Sequence, residues 1–312
     1  MPLDHSGPDH FYAARRHGFV RVATSAPRGR PADVAYNTAN ILAEAKRADA
    51  ESVDLAVFPE LCVSSYAIDD LHLQAALLDA VKSALADIRE ASESLAAVLL
   101  VGAPLRWRGS LYNCAIAVAR GRFLGVVPKS YLPNYREYYE KRWFAHGRDI
   151  KGEAITLGRE DVPFGTDLIF EAADIAPLTF HMEVCEDYWA AVPPSSEAAL
   201  AGALILANLS ASNITIGKAD DRHLLSQSQS MRAHAAYVYS AAGPGESTTD
   251  VAWDGQGAIY ELGEMLAEAA RFSLEPQLCI ADVDTERLVA ERLRTPTFGD
   301  GAEHARRTGQ PW

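Results

Sequence analysis

Short, nearly continuous apolar runs alternate along this chain with longer stretches of helical periodicity, and that alternation limits it to an α/β architecture. Leu55–Phe58 (LAVF), Ala97–Gly102 (AVLLVG), Leu178–Val184 and Leu204–Leu209 (LILANL) are short and apolar, as expected of strands covered on both faces. Gly18–Ala23 reads as an earlier strand, and Tyr237–Ala241 and Gln277–Val283 as two later ones. Ala32–Ala50 and Leu71–Glu90 carry apolar residues at helical spacing; in the second, Leu73, Leu77, Leu78, Val81, Leu85 and Ile88 share one face. A further helix is expected around Ala219–Ala236. Tyr112–Ala119 and Phe123–Val127 flank Arg120-Gly121, where glycine can supply the positive φ of a hairpin turn. A second, Gly-rich hairpin is expected near Asp254–Gly263. Such antiparallel pairs argue against a purely parallel sheet. No linker, low-complexity segment or internal repeat interrupts the pattern, so a single α/β domain over residues 1–312 is expected. The tail from Arg292 is charged, contains Gly and Pro and has little to bury, which directs it to another subunit or to a further domain.

Charge narrows the partners. With 29 basic residues against 42 acidic, the formal net charge is −13, which argues against nucleic acid, whose binders need a basic face to displace counterions. No apolar stretch approaches the ~20 residues that span a bilayer, and the start lacks a basic region followed by an apolar one. Cys62, Cys114, Cys185 and Cys279 show no CxxC spacing and read as reduced thiols. A cytoplasmic protein is expected.

Three motifs each set a reactive side chain directly after an apolar strand: Phe58-Pro59-Glu60, Pro128-Lys129-Ser130 and Val184-Cys185-Glu186-Asp187. Strand ends are where distant parts of an α/β chain converge on one pocket. A thiol is barely ionised at neutral pH and needs a base or a positive field before it can attack an amide. Glu60 can take the thiol proton and later deliver it to a leaving amine, while Lys129 can hold the oxygen that becomes negative. Each residue alone has a plainer reading: Glu60 as a cap or solvated turn residue, Lys129 as a surface lysine, Cys185 as a small buried hydrophobe. Cys62, Cys114 and Cys279 are read as structural. The nine histidines show no HExxH or comparable spacing and no GxSxG elbow occurs, so neither a catalytic metal, another cofactor nor a serine hydrolase is expected.

These three segments, with Tyr131-Leu132-Pro133 after the second, resemble the catalytic segments of the nitrilase superfamily. More narrowly, they resemble the glutaminase domain of glutamine-dependent NAD+ synthetases. Tyr135-Arg136-Glu137, Val192-Pro193-Pro194-Ser195, Ala207-Asn208-Leu209-Ser210 and Gly245-Glu246-Ser247-Thr248-Thr249-Asp250 extend the likeness, which runs from about Phe11 to Phe298. The resemblance implies an αββα sandwich with mixed sheets, a homo-oligomer, and Glu60, Lys129 and Cys185 as a catalytic triad. It also implies a glutamine pocket lined by Tyr66, Tyr135, Glu186 and Ser212, although aromatic packing for the tyrosines and a turn for the serine explain those residues as well. Synthetases of this type carry a further ATP-binding domain. Here no SGG-type loop or Walker A pattern is found, so an excised half or a free-standing relative is expected. The activity expected is hydrolysis of the glutamine amide through a thioester, with the ammonia passing to a synthetase domain or protein. The alternatives are an amidase or nitrilase for another small substrate, and a non-catalytic partner domain.

Overall fold

The computed structural model describes residues 13–175 and 177–308. In chain order its strands are β1 (Phe19–Ala26), β2 (Leu55–Val57), β3 (Val98–Trp107), β4 (Ser110–Ala119), β5 (Arg122–Pro128), β6 (Glu153–Leu157) and β7 (Glu160–Phe164). They continue with β8 (Phe170–Glu171), β9 (Thr179–Val184), β10 (Ile205–Ser210), β11 (Ala236–Ala241), β12 (Gly257–Glu261), β13 (Glu264–Glu268) and β14 (Gln277–Asp284). The helices are α1 (Val34–Ala50), α2 (Ala75–Ala91), α3 (Pro194–Ala201), α4 (Lys218–Arg232), α5 (Thr285–Arg294) and α6 (Pro296–Arg307).

Two mixed sheets lie face to face with helices outside. One has the order β14-β1-β2-β3-β4-β5-β7-β6, the other β13-β12-β11-β10-β9-β8. Alternation along the strands sorts their side chains into separate layers. Val22, Leu55, Val57, Leu100 and Ala117 of the first sheet meet Met182, Val184, Ala207, Leu209 and Val238 of the second in the central layer. On the far side of the first sheet, Ala56, Leu99 and Val101 pack on Ile41, Ala45, Val81, Leu85 and Ile88 of α1 and α2. On the far side of the second, Leu206, Tyr237 and Tyr239 pack with Ala198 and Ala199 of α3. This is the αββα sandwich, and because strands such as β2, β3, β9 and β10 are covered on both faces, their sequences run apolar without a break.

Two expectations need correction. The second helix starts at Ala75 rather than Leu71: Asp69–Leu73 is a 3-10 turn, and Gln74, extended at φ −75° and ψ 128°, separates the two. Leu71 and Leu73 are consequently exposed. The tail beyond Arg292 is not without a surface to bury. Pro296 suits a first helical turn, and α6 folds back on α3 and α5 of its own chain. There the Phe298 ring stands edge-on to His234 at 5.5 Å and beneath the Arg292 guanidinium at 4.7 Å, and Ala305 is buried.

Candidate active site

Glu60 enters the interior through a tight corner. After β2, Phe58 donates its N–H to Leu100 O at 2.9 Å, and Leu61 takes φ 50°. The corner can close because Gly102 of β3 has no side chain: a Cβ there would lie 2.3 Å from Leu61 N and 2.7 Å from Pro59 O. Glu60 is left fully buried. Lys129, one residue beyond β5, is held by its own N–H on Asn113 O (2.8 Å) and by Gly147 N–H on its carbonyl (2.7 Å); it too is fully buried. Cys185 follows β9 and takes φ 45°, a left-handed conformation that costs a non-glycine residue free energy and is retained where surrounding contacts enforce it. Asp187 supplies such contacts. One of its oxygens accepts from Val184 N at 3.0 Å; the other accepts from Ser130 N at 3.0 Å and Tyr131 N at 2.8 Å. That single carboxylate ties the turn at Cys185 to the segment that follows Lys129. Burial pushes it up to about 8 against the pull of these N–H donors.

The three segments bring one ammonium between two carboxylates. Lys129 Nζ lies 2.7 Å from Glu60 Oε1 and 2.7 Å from Glu140 Oε1. Glu60 also accepts from Asn113 Nδ2 at 2.6 Å and, on its other oxygen, from Ala211 N at 2.7 Å. Ala211 follows β10, so the second sheet helps to fix a residue of the first. Glu140 accepts the Tyr66 hydroxyl at 2.6 Å. Burial would lower the Lys129 pKa, but the charges of Glu140 and Glu60 outweigh it and hold the ammonium well above its ordinary range. Burial pushes Glu140 up to about 7 despite Lys129, so it can retain a proton that relieves the excess negative charge. The Cys185 thiol is raised by burial and then by Glu60, with Lys129 pulling the other way, and is therefore protonated at rest. A protonated thiol, a carboxylate able to receive its proton and a fixed ammonium amount to the parts of an acyl-transfer centre.

Of the four residues expected to line a substrate pocket, three fall into two groups. Tyr66 is buried on the Lys129 side, where its own N–H and that of Ala67 donate to the Glu246 oxygens at 2.9 Å and 3.2 Å. Tyr135 and Glu186 touch each other at the surface, the tyrosine hydroxyl donating to Glu186 Oε1 at 2.7 Å. The Tyr138 ring bridges the groups, with centroids 6.5 Å from Tyr66 and 6.3 Å from Tyr135. Ser212 is buried, and its hydroxyl has no partner among the described residues. Its carbonyl accepts from Arg222 at 3.2 Å, a guanidinium fixed by both Asp254 oxygens at 2.9 and 3.0 Å. A small cleft lined by Tyr66, Glu137 and Tyr138 adjoins this cluster. Cys114 and Cys279 lie in apolar layers, and Cys62 donates weakly to Gly102 O at 3.7 Å; burial pushes Cys62 up to about 12 and Cys279 to about 11.

Glu140 and Tyr138 did not stand out in the sequence. Glu140 follows no strand, and in Tyr135–Glu140 (YREYYE) its charge reads as one more solvated loop residue. Among the described residues no group of three or more His, Cys, Asp or Glu side chains is disposed to hold a metal ion, and no helix is long and apolar enough to cross a membrane.

Comparison with known proteins gives a consistent set of relatives. The carbon–nitrogen hydrolase family model matches residues 20–292. The glutamine-dependent NAD+ synthetase of Mycobacterium tuberculosis is 54% identical over 296 residues, which cover 95% of this chain and 43% of that protein. The Mycobacterium leprae synthetase is 52% identical over 302 residues, 97% of this chain and 44% of its own. The chain thus spans less than half the length of these relatives. Among solved structures, a glutamine-dependent NAD+ synthetase from Cytophaga hutchinsonii superposes with a TM-score of 0.76 at 27% identity, covering 86% of this chain and 43% of that one. An amidase from Nesterenkonia sp. AN1 shares the fold with a TM-score of 0.66 at 21% identity, covering 88% of this chain and 98% of that one.

Proposed function

The chain belongs to the carbon–nitrogen hydrolase family, and from that premise we propose that it hydrolyses the side-chain amide of glutamine through a thioester on Cys185. The observation that carries the proposal is the buried Glu60–Lys129–Glu140 cluster within electrostatic reach of the Cys185 thiol. In this mechanism Glu60 accepts the thiol proton as sulfur attacks the amide carbon. Lys129 stabilises the negative oxygen of the tetrahedral intermediate, and the proton returns to nitrogen as ammonia leaves. Water then attacks the thioester, glutamate departs and the thiol is restored. Glu140 holds Lys129 in place from the other side and, near neutral pH, carries part of the proton inventory. Tyr66, Tyr135, Glu186 and Ser212 line the substrate pocket in this reading.

The ammonia serves NAD+ synthesis, through a synthetase domain or protein beside this one. The mycobacterial relatives named for that reaction support this role at more than 50% identity over nearly the whole chain. The four free cysteines suit the reducing cytosol. Purified protein given glutamine should release glutamate and ammonia in equal amounts, and Cys185→Ala should release neither. Glutamate release that survives Cys185→Ala would sink the thioester. A wild type that ignores glutamine, alone and with a synthetase present, but cleaves another small carboxamide would move the substrate elsewhere within the family.

A further inference from the structure

The Cys185 sulfur has one neighbour that the mechanism above leaves idle. Ser210 ends β10 and is fully buried, and its hydroxyl lies within hydrogen-bonding reach of both the Cys185 sulfur and the Tyr239 hydroxyl. Sheet register explains the placement. β10 pairs in parallel with β9 as far as Leu209 opposite Val184, so Ser210 and Cys185 each stand one step beyond that pair. On its other side β10 pairs with β11, with Asn208 opposite Tyr239 and Ser210 opposite Ala241. Alternation then puts Asn208, Ser210 and Tyr239 on one face, the face turned away from the first sheet. From that face Asn208 Nδ2 donates to Cys185 O at 3.4 Å. One strand thus grips the nucleophile twice, at its carbonyl and at its sulfur.

The Ser210 backbone is firmly held. Its carbonyl accepts from Glu60 N at 3.2 Å and from Ala242 N at 3.0 Å, and the next N–H, that of Ala211, donates to Glu60 Oε2 at 2.7 Å. A single dipeptide therefore meets both the thiol and the carboxylate that receives its proton. Tyr239 is buried as well, with its ring 5.6 Å from that of Tyr188. Burial opposes charge on its oxygen, while the Arg222 guanidinium, itself fixed by Asp254, favours it and so makes the hydroxyl a better donor. A hydroxyl has one proton to give and two lone pairs to receive with. Ser210 can give its proton to sulfur while it accepts from a second donor, and Tyr239 is the donor in reach.

We propose that Ser210 is a further catalytic residue, whose hydroxyl donates a hydrogen bond to the Cys185 sulfur, and that Tyr239 positions it by donating in turn to the Ser210 oxygen. This rests on the thioester reading and gives the sulfur a donor of its own, as Lys129 is the donor for the carboxamide oxygen. No proton changes owner along the string. When Glu60 takes the thiol proton, the negative sulfur gains a hydrogen bond that a neutral thiol accepts only weakly; the S–C bond then forms and the C–N bond breaks. After water has added to the thioester the C–S bond breaks, the electron pair stays on sulfur, and the same hydroxyl steadies that charge. Burial and the carboxylates of Glu60 and Glu140 oppose a thiolate here, while Lys129 favours it, as does Lys218 from the start of α4. Ser210 assists the two cations without adding a charge to the interior.

Alkylation reads the state of the sulfur without any turnover, because the thiolate is the reacting form. The protein is treated with iodoacetamide from about pH 7 to about pH 9, and labelling of the Cys185 and Cys62 peptides is followed by mass spectrometry, Cys62 serving as the internal control. Ser210→Ala should slow labelling of Cys185 by roughly 10- to 100-fold at each pH, the loss expected for a hydrogen bond to a charged group, and leave Cys62 unchanged. Tyr239→Phe keeps both the serine and the ring and should slow it by roughly 3- to 10-fold, as for a bond between neutral groups. In the double variant the rate should equal that of Ser210→Ala alone, since Tyr239 acts only through the serine; a merely structural tyrosine would lower it again. Ser210→Ala labelled as fast as wild type overturns the proposal, as does a Tyr239→Phe effect that persists once Ser210 is gone. So does a wild-type Cys185 that takes no label, because a sulfur held ready to attack an amide must also attack this reagent. The thioester reading fails by a separate result, glutamate release that survives Cys185→Ala.

Discussion

The two sheets present different kinds of polar surface to the same site. On the first, the charges of Glu60 and Lys129 are paired at 2.7 Å, with Glu140 at the same distance on the far side of the ammonium, and Glu60 accepts from Lys129, Asn113 and Ala211 at once. On the second, around Cys185, the buried hydroxyls of Ser212 and Tyr188 and the Oδ1 of Asn208 have no partner among the described residues. The energetics explain the contrast. An unpaired buried charge costs several kcal/mol, so the Lys129 ammonium and the Glu60 carboxylate persist in the interior because each holds the other, although Glu140 Oε2 has no partner among the described residues. An unpaired hydroxyl costs about 1–3 kcal/mol, which a stable domain tolerates where bonding capacity is useful. The first sheet thus supplies a frame that cannot rearrange, and the second supplies unused hydrogen-bonding capacity beside the thiol, where reacting atoms and water must pass.

The sharpest way to break this comparison is to remove the cation from the frame. Lys129→Met leaves Glu60 and Glu140 buried with no ammonium between them. It should lower stability by about 3–5 kcal/mol and turnover by roughly 10³-fold or more. Adding Glu140→Gln should return much of the stability, because one of the two carboxylates is gone, without returning turnover. Chemical denaturation and glutamate release measured on the same three proteins decide it. A Lys129→Met protein as stable as wild type would mean that the charges are not interlocked.

A smaller effect, read through pH, isolates Glu140. Its folded pKa is raised by burial from 4.5 to about 7, so between those values the folded state binds more protons than the unfolded state. Stability must then fall as pH rises through that window, by about 1.4 kcal/mol for each unit of pKa difference. Glu140→Gln should remove this part of the decline, so the variant loses less stability than wild type between pH 4.5 and 7. Parallel denaturation midpoints for the two proteins over that range would show that Glu140 is ionised throughout and that the frame carries an unrelieved negative charge.

These groups were legible in the sequence to different degrees, for physical reasons. A strand buried on both faces has to be apolar, so a charge or thiol just past its end is conspicuous; that is how Glu60, Lys129 and Cys185 stand out, and how the sandwich does. Glu140 and Tyr138 come to the site from one loop. Their neighbours are polar whether or not the side chain is buried, so local pattern carries no trace of their position. The α6 helix was hidden for a related reason. It buries Ala305 and half-buries Phe298 against His234 and Arg292, and such a face barely differs in composition from a solvated tail. The hairpin of β6 and β7 leaves a weak pattern as well, since each strand has five residues and buries only two of them.

The gentlest test compares one hydrogen-bonding group from each sheet. Asn113 of β4 donates to Glu60 at 2.6 Å, and Asn113→Ala removes that donor from a buried carboxylate while leaving a small void. A loss of about 2–3 kcal/mol is expected, with a fall in turnover because Glu60 is less firmly placed. Tyr188, in the turn after β9, is buried too, but its hydroxyl has no partner among the described residues. Tyr188→Phe removes a desolvated polar atom and keeps the ring, so stability should stay within about 1 kcal/mol of wild type or rise. Unfolding free energies from one denaturant series suffice to compare the two. If Tyr188→Phe proves as damaging as Asn113→Ala, the hydroxyls around Cys185 are bonded as tightly as the charges opposite, and the second sheet is as rigid a frame as the first. If it proves neutral while its turnover changes, the hydroxyl acts on the reacting groups or their water, because its removal leaves the fold as stable as before.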